Sequence, residues 1–205
     1  IWQAKGKCPG LVCLPPDYRK YLRFSRLARG IYADYTDRIE SFGIDENWLD
    51  VSGSAALFGD GVKIANELRR RIREEMGVTA SVGVSWNKIF AKLGSDMKKP
   101  DATTVITEAN FRKVVWPLPV EELLYVGRST KNKLNNRAVF TIGDLAARDV
   151  HLLKLDDYAP GPGGYRRREN DRVRFGGECG GQAAAAWPEV PDGGGPYPEQ
   201  RALQL

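Results

Sequence analysis

The chain has 205 residues, 42% of them hydrophobic and 28% charged, with a net charge of +5 and a pI of about 9.1. That length holds one large domain or two small ones, the apolar content is that of an ordinary globular protein, and the basic balance favours a polyanionic partner. A single histidine, His151, argues against His-based triads and His-rich metal sites, and Cys8, Cys13 and Cys179 lack zinc spacing, reading instead as reduced thiols in a reducing compartment.

The start, Ile1-Trp2-Gln3-Ala4-Lys5, has no signal-peptide pattern and no initiator Met, so the chain is expected to begin inside a longer protein. No apolar run is long enough to span a bilayer. Pro9, Gly10, Pro15 and Pro16 mark loops around a short apolar run, Leu11 to Leu14. Asp17 opens a predicted helix with Tyr21, Phe24, Leu27 and Ala28 at helical spacing and Gly30 near its end. The run from Phe42 to Val51 then has the aromatic and aliphatic content of a buried strand, yet it carries adjacent carboxylates, Asp45 and Glu46. Two such charges repel each other and lose hydration when buried. A divalent cation bound at a strand end or hairpin tip would remove both penalties. An exposed turn would remove them without a ligand, and on spacing alone acid pairs in turns are the commoner case.

Gly59-Asp60-Gly61 leads into a predicted helix with Ile64, Leu68, Ile72 and Met76 on one stripe and Gly77 at its C-cap. The face with Arg69, Arg70, Arg73, Glu74 and Glu75 reads as a solvated exterior. Thr79 to Ser85 reads as a strand in which small residues alternate with Val82 and Val84. Asn87 opens a helix containing Ile89, Phe90 and Leu93, with Lys88 and Lys92 on one face and Pro100 beyond its end. Thr103 to Ile106 is a further short strand. Strands alternating with helices indicate an α+β or α/β layer with helices packed on a sheet. After Pro117 and Pro119, Glu121 to Tyr125 and Thr130 to Asn135 read as two short helices around the hinge Val126-Gly127-Arg128-Ser129, with another starting at Thr141. That spacing suits a helix-hairpin-helix, whose free N–H groups bind a backbone phosphate, and equally a generic αα-hairpin. Arg128, Lys131 and Lys133 would add charge.

Three stretches together resemble one family. Gly43 to Asp50 matches a Ser-or-Gly, apolar, Asp-Glu, two residues, Leu-Asp signature; Ser81 to Lys88, continuing to Ser95, Asp96, Lys99 and Pro100, matches a strand-to-helix block; and Leu118 to Ala146 ends in Thr-Ile-Gly-Asp-Leu. In consistent order over roughly residues 7 to 155, they resemble the Y-family, translesion DNA polymerases of the DNA polymerase IV type. The resemblance implies an α+β fold: the end of a fingers domain at residues 1–16, a partial palm at 17–107 with a ferredoxin-like sheet and packed helices, and a helical thumb with a helix-hairpin-helix at 108–155. It implies a cytoplasmic enzyme that adds deoxynucleoside triphosphates to primer-template DNA with two Mg²⁺ ions. Asp45 and Glu46 would be the metal-binding catalytic acids. Asp96 matches an acid near the site or on the helix surface, and Asp50 is either part of the site or a hairpin brace. Lys99 would meet the triphosphate, and Gly127, Arg128, Thr130 and Lys131 the DNA. A sliding clamp would engage regions outside this sequence, and no membrane is involved.

The sequence also departs from that family. The family begins with a strand carrying Asp-x-Asp, the first acid being a metal ligand, and continues after the thumb with a little-finger domain; neither has a counterpart here. The chain alone is therefore expected not to polymerise. From residue 156 to 205 there is no Ile, Lys, Met, Ser or Thr, and Gly, Pro, Ala and Arg dominate. This composition points to disorder and matches an out-of-frame reading of a GC-rich gene. Two rival readings are a non-catalytic DNA-binding module built on the thumb-like helices, and a nucleotide cyclase-like palm, against which the thumb-like block and the Lys-Pro element argue.

Overall fold

The structure, a computed structural model, describes residues 1–149 and 202–205. A five-stranded sheet lies at its centre, built from β1 (Ile39–Ser41), β2 (Asn47–Asp50), β3 (Val82–Ser85), β4 (Thr103–Val105) and β5 (Ala202–Gln204). The spatial order is β1-β2-β5-β3-β4. Pairing is antiparallel throughout except between β3 and β4, which are parallel. A parallel pair needs a crossover, and the helix α5 (Lys88–Met97) supplies it.

One face of the sheet is covered by α2 (Tyr18–Ala33) and α4 (Gly61–Met76). Their apolar stripes meet Leu49, Val51, Val82, Val84, Leu203 and Leu205 in the main core, with Ile31, Tyr32, Ile64, Leu68 and Ile72 coming from the helices. The other face lies under α5. The approach there is close: a Cβ at Gly83 would stand 1.8 Å from the Ala91 carbonyl oxygen and 2.6 Å from the Ser95 nitrogen. Only glycine lets the helix backbone sit that near the strand.

Both long helices begin as the sequence predicts, because short polar side chains satisfy orphan N–H groups. Asp17 accepts from Lys20 N at 3.0 Å, and Asp60 from Lys63 N at 2.8 Å. Asn87 does the same for α5, accepting from Phe90 N at 2.8 Å. Gly77 caps α4 with φ of 69°. In α2 the buried stripe differs from the predicted one. Ser25, Ile31 and Tyr32 face the core with Ala28 packed against it, whereas Tyr21 and Leu27 are exposed. Gly30 lies on the outer side, so the helix runs past it to Ala33.

The short helix α1 (Trp2–Lys7) is exposed throughout and was not anticipated, nor were α3 (Ala55–Phe58) and α6 (Phe111–Val114). Beyond β4, a second cluster joins Leu93 and Ile106 to Val115 and Ile142. Packing is thus continuous across the expected palm-to-thumb boundary at residue 107. A third cluster, Val120, Leu134 and Val139, holds α7 (Arg128–Asn135) to a 3₁₀ turn at Val120–Glu122. The expected helix over 121–125 is only that turn, because Leu123 is already extended. The helix α8 (Ile142–Ala146) closes the region with a capping box between Thr141 and Asp144.

For residues 156–201 the expected disorder lies outside the described residues. At the end of that stretch it is overturned: Ala202–Leu205 are buried, and β5 sits in the middle of the sheet. Alternation explains this, since Leu203 and Leu205 point into the main core. Among the described residues, no helix is long and apolar enough to cross a membrane.

Candidate active site

Asp45 and Glu46 sit at the tip of the β1–β2 hairpin. The turn is closed by the Phe42 and Gly43 N–H groups, which donate to the Glu46 carbonyl at 2.9 and 3.3 Å. The Phe42 ring packs on Trp48 with centroids 4.8 Å apart, and the Trp48 indole N–H donates to the Lys88 carbonyl at 3.1 Å. Aromatic packing therefore pins the tip to the start of α5. The expected single buried strand from Phe42 to Val51 is in fact two parts: residues 42–46 form the turn, and burial begins at Asn47. Asp45 is exposed and Glu46 half-buried, so the desolvation premise fails for Asp45.

Glu46 has a cationic partner. Lys92 of α5 is 9% exposed, and its Nζ lies 2.8 Å from Glu46 Oε1 and 2.6 Å from Asp96 Oδ2. Asp96 Oδ1 in turn lies 2.8 Å from Lys99 Nζ. A line of alternating charge thus runs Glu46–Lys92–Asp96–Lys99. Burial pulls the Lys92 ammonium toward neutrality, but its hydrogen bonds to Asp96 and Glu46 outweigh that and hold it above the usual lysine range. Burial likewise opposes ionisation of Asp96, and the hydrogen bonds from Lys92 and Lys99 prevail, holding it below the usual carboxylate range. Lys99 stands exposed at the far end of this line. Lys88 pairs with Glu40 and lies 5.5 Å from the Trp48 ring centroid. The structure assigns Asp50 a bracing contact. It is 3% exposed, accepts from Arg38 at 3.1 Å and from Ser52 N at 2.9 Å, and so locks the base of the hairpin.

Carboxylate oxygens are the donors magnesium prefers, and Asp45 and Glu46 offer two side chains of that kind. One Glu46 oxygen is already taken by the Lys92 ammonium. Among the described residues, no group of three or more His, Cys, Asp or Glu converges as a metal cage. The pair fits part of a magnesium site.

The hinge residues lie at the start of α7. Gly127 is its N-cap and supplies no side-chain bond. The first N–H groups of a helix have no intrahelical partner, and here they emerge at exposed Gly127, Arg128 and Ser129, with Thr130 half-buried. Lys131 is committed to an ion pair with Glu121, whose carboxyl it holds below the usual range. Tyr125, 72% exposed, places its ring 6.3 Å from that of Phe42. That contact brings the hinge beside the hairpin tip, and no local pattern signals it. The sequence did put Lys88 and Lys92 on one helix face; their partners on the hairpin were not visible in it.

The impB/mucB/samB family profile matches residues 1–96. DNA polymerase IV of Acetivibrio thermocellus is 69% identical over 146 residues, covering 71% of this chain and 37% of that protein. DNA polymerase IV of Moorella thermoacetica is 42% identical over 153 residues, covering 75% and 38%. A solved structure of DinB from Sulfolobus solfataricus matches with a TM-score of 0.66 at 27% identity, covering 74% of this chain and 45% of that one. An insertion ternary complex of Dbh DNA polymerase matches with a TM-score of 0.68 at the same 27% identity, covering 74% and 44%. The sheet with its helices has the fold of part of these polymerase structures. Over those stretches the chain is similar to the Y-family DNA polymerases, and its sequence relatives are named DNA polymerase IV. It spans well under half the length of those relatives.

Proposed function

We propose that this chain is the palm-and-thumb segment of a DNA-directed DNA polymerase that extends a primer by nucleotidyl transfer during translesion synthesis and repair, and that the segment does not polymerise alone. The observation that carries the proposal is the hairpin tip: Asp45 and Glu46 lie at a turn that Glu46 ties to Lys92 of α5 and that the Phe42–Tyr125 contact sets next to the hinge opening α7. In this reading residues 1–16 end the fingers, 17–107 form the partial palm and 108–155 the thumb.

Asp45 and Glu46 would hold magnesium, which when bound activates the attacking hydroxyl and neutralises the leaving pyrophosphate. Lys92 keeps Glu46 in place and offsets the carboxylate charge while no cation is bound. Lys99 lies just past the end of α5 on a long exposed stem, which suits contact with a triphosphate. The α7 start, with Gly127, Arg128 and Thr130, suits a DNA backbone phosphate, and Lys131 would join it on release from Glu121.

Fluorescence anisotropy of a primer-template duplex, paired with primer extension by the full chain, tests the reading. Binding should weaken about fivefold in Arg128→Ala, with the salt slope falling by about one, as for loss of one phosphate contact. Asp45→Asn with Glu46→Gln should leave duplex binding in EDTA unchanged. No duplex binding at low salt would remove the reading, and robust Mg²⁺-dependent incorporation would overturn the inactivity. A purely DNA-binding role, the rival suggested by the α7 start, would give the wild type and the acid double variant the same response to Mg²⁺.

A further inference from the structure

We infer that the gap between β2 and β3 is a strand-acceptor site, which binds in trans an extended peptide with aliphatic side chains at alternate positions. β2 and β3 do not pair with each other; β5 alone joins them. Trp48, Leu49 and Asp50 pair with Gln204, Leu203 and Ala202 on one side, and Gly83, Val84 and Ser85 pair with the same three residues on the other. Asn47 and Leu205 extend the ladder, exchanging two N–H to carbonyl bonds of 3.1 Å. Ala202, Leu203 and Gln204 are thus paired on both edges and Leu205 on the β2 edge, and the exposures of the four are 2%, 0%, 0% and 7%. Main-chain recognition of this kind gives affinity for any extended segment, and side-chain pockets select its pattern.

The pattern is legible. Leu203 and Leu205 enter the main core. Paired residues share a face, so Ala202 and Gln204 lie with Ser85 and Gly83 on the side beneath α5. On that side the present occupant fits imperfectly. Gln204 Oε1 and Ser85 Oγ are both buried without a hydrogen-bond partner. A buried polar atom left unpaired is costly, so the seat favours a strand that removes the one and satisfies the other. Serine at the position of Ala202 can bond Ser85, and valine at the position of Gln204 carries no stray acceptor. β5 therefore behaves as a tethered ligand of moderate fit, displaceable by a better strand.

The test uses the full chain and two fluorescent octapeptides: residues 198–205 as they stand, and the same segment with Ala202→Ser and Gln204→Val. The acceptors are the wild-type chain and Leu203→Asp, whose buried charge expels β5. The account predicts saturable binding of both peptides to Leu203→Asp, with the substituted peptide about tenfold tighter. It predicts markedly weaker apparent binding to the wild type, where the tethered strand competes. If Leu203→Asp unfolds, peptide-dependent recovery of its folded circular dichroism is the expected result, and no recovery overturns the proposal. So does a folded Leu203→Asp that binds neither peptide. In the wild-type chain, amides of residues 203–205 should exchange with deuterium as slowly as those of β2 and β3; free exchange would also overturn it.

Discussion

Lys92 answers a problem that two neighbouring acids and a nearby Asp96 would otherwise leave open. Its ammonium is shared by Glu46 and Asp96 at hydrogen-bonding distance, with the stem buried against the sheet. Lys92→Met should destabilise the fold by about 1–2 kcal/mol, less than loss of a wholly buried pair because both acids are about a third exposed or more. Urea unfolding midpoints measure this, and an unchanged midpoint would show that the bridge contributes nothing. Gly83 is the second decisive residue. Gly83→Ala drives a methyl into the Ala91 carbonyl, and we expect a loss of at least about 3 kcal/mol by the same measurement. The sequence offered the site acids as a pair and offered Lys92 as one of two lysines on a helix face. That Lys92 reaches a residue 46 positions away was not readable, because ion pairing across a fold depends on packing that no local spacing encodes.

Caps and periodicity made most elements readable. Asp17, Asp60 and Asn87 each start a helix where the sequence places one, because capping is decided within three residues. The stripe of α4 was plain for the same reason, whereas α2, with aromatics on two faces, was assigned the wrong one. The hairpin was read as one strand because Phe42 and Ile44, apolar but 37% and 38% exposed, continue the apolar run through the turn. The capping box of α8 yields a prediction at this scale. Backbone N–H bonds from Thr141 and Phe140 hold the Asp144 carboxyl below its ordinary range. A depressed native value means that this contribution is complete above the unfolded value of about 4 and is lost as pH falls through the native one. Between pH 5 and pH 3, about one unit either side of that unfolded value, the thermal midpoint of the wild type should fall more steeply than that of Asp144→Asn. Parallel curves would contradict it. Thr141→Ala should cost about 1 kcal/mol at neutral pH, read from the same melts.

At the level of the whole molecule, the order of strands and helices and the motif blocks pointed to the same family that the comparisons match. They could not show that β5 completes the sheet, because a three-residue strand at the end of a Gly- and Pro-rich stretch carries too little periodicity to be seen. In the proposed function the hairpin tip is the cation-holding end of a polymerase palm. Mn²⁺ shares magnesium's preference for oxygen donors and reports binding through its paramagnetic resonance. Titrated into the full wild-type chain, it should bind weakly, with Kd on the order of 1 mM, since two carboxylates are only part of a site. In Asp45→Asn with Glu46→Gln that binding should disappear. Equal Mn²⁺ binding by the two proteins would contradict the account.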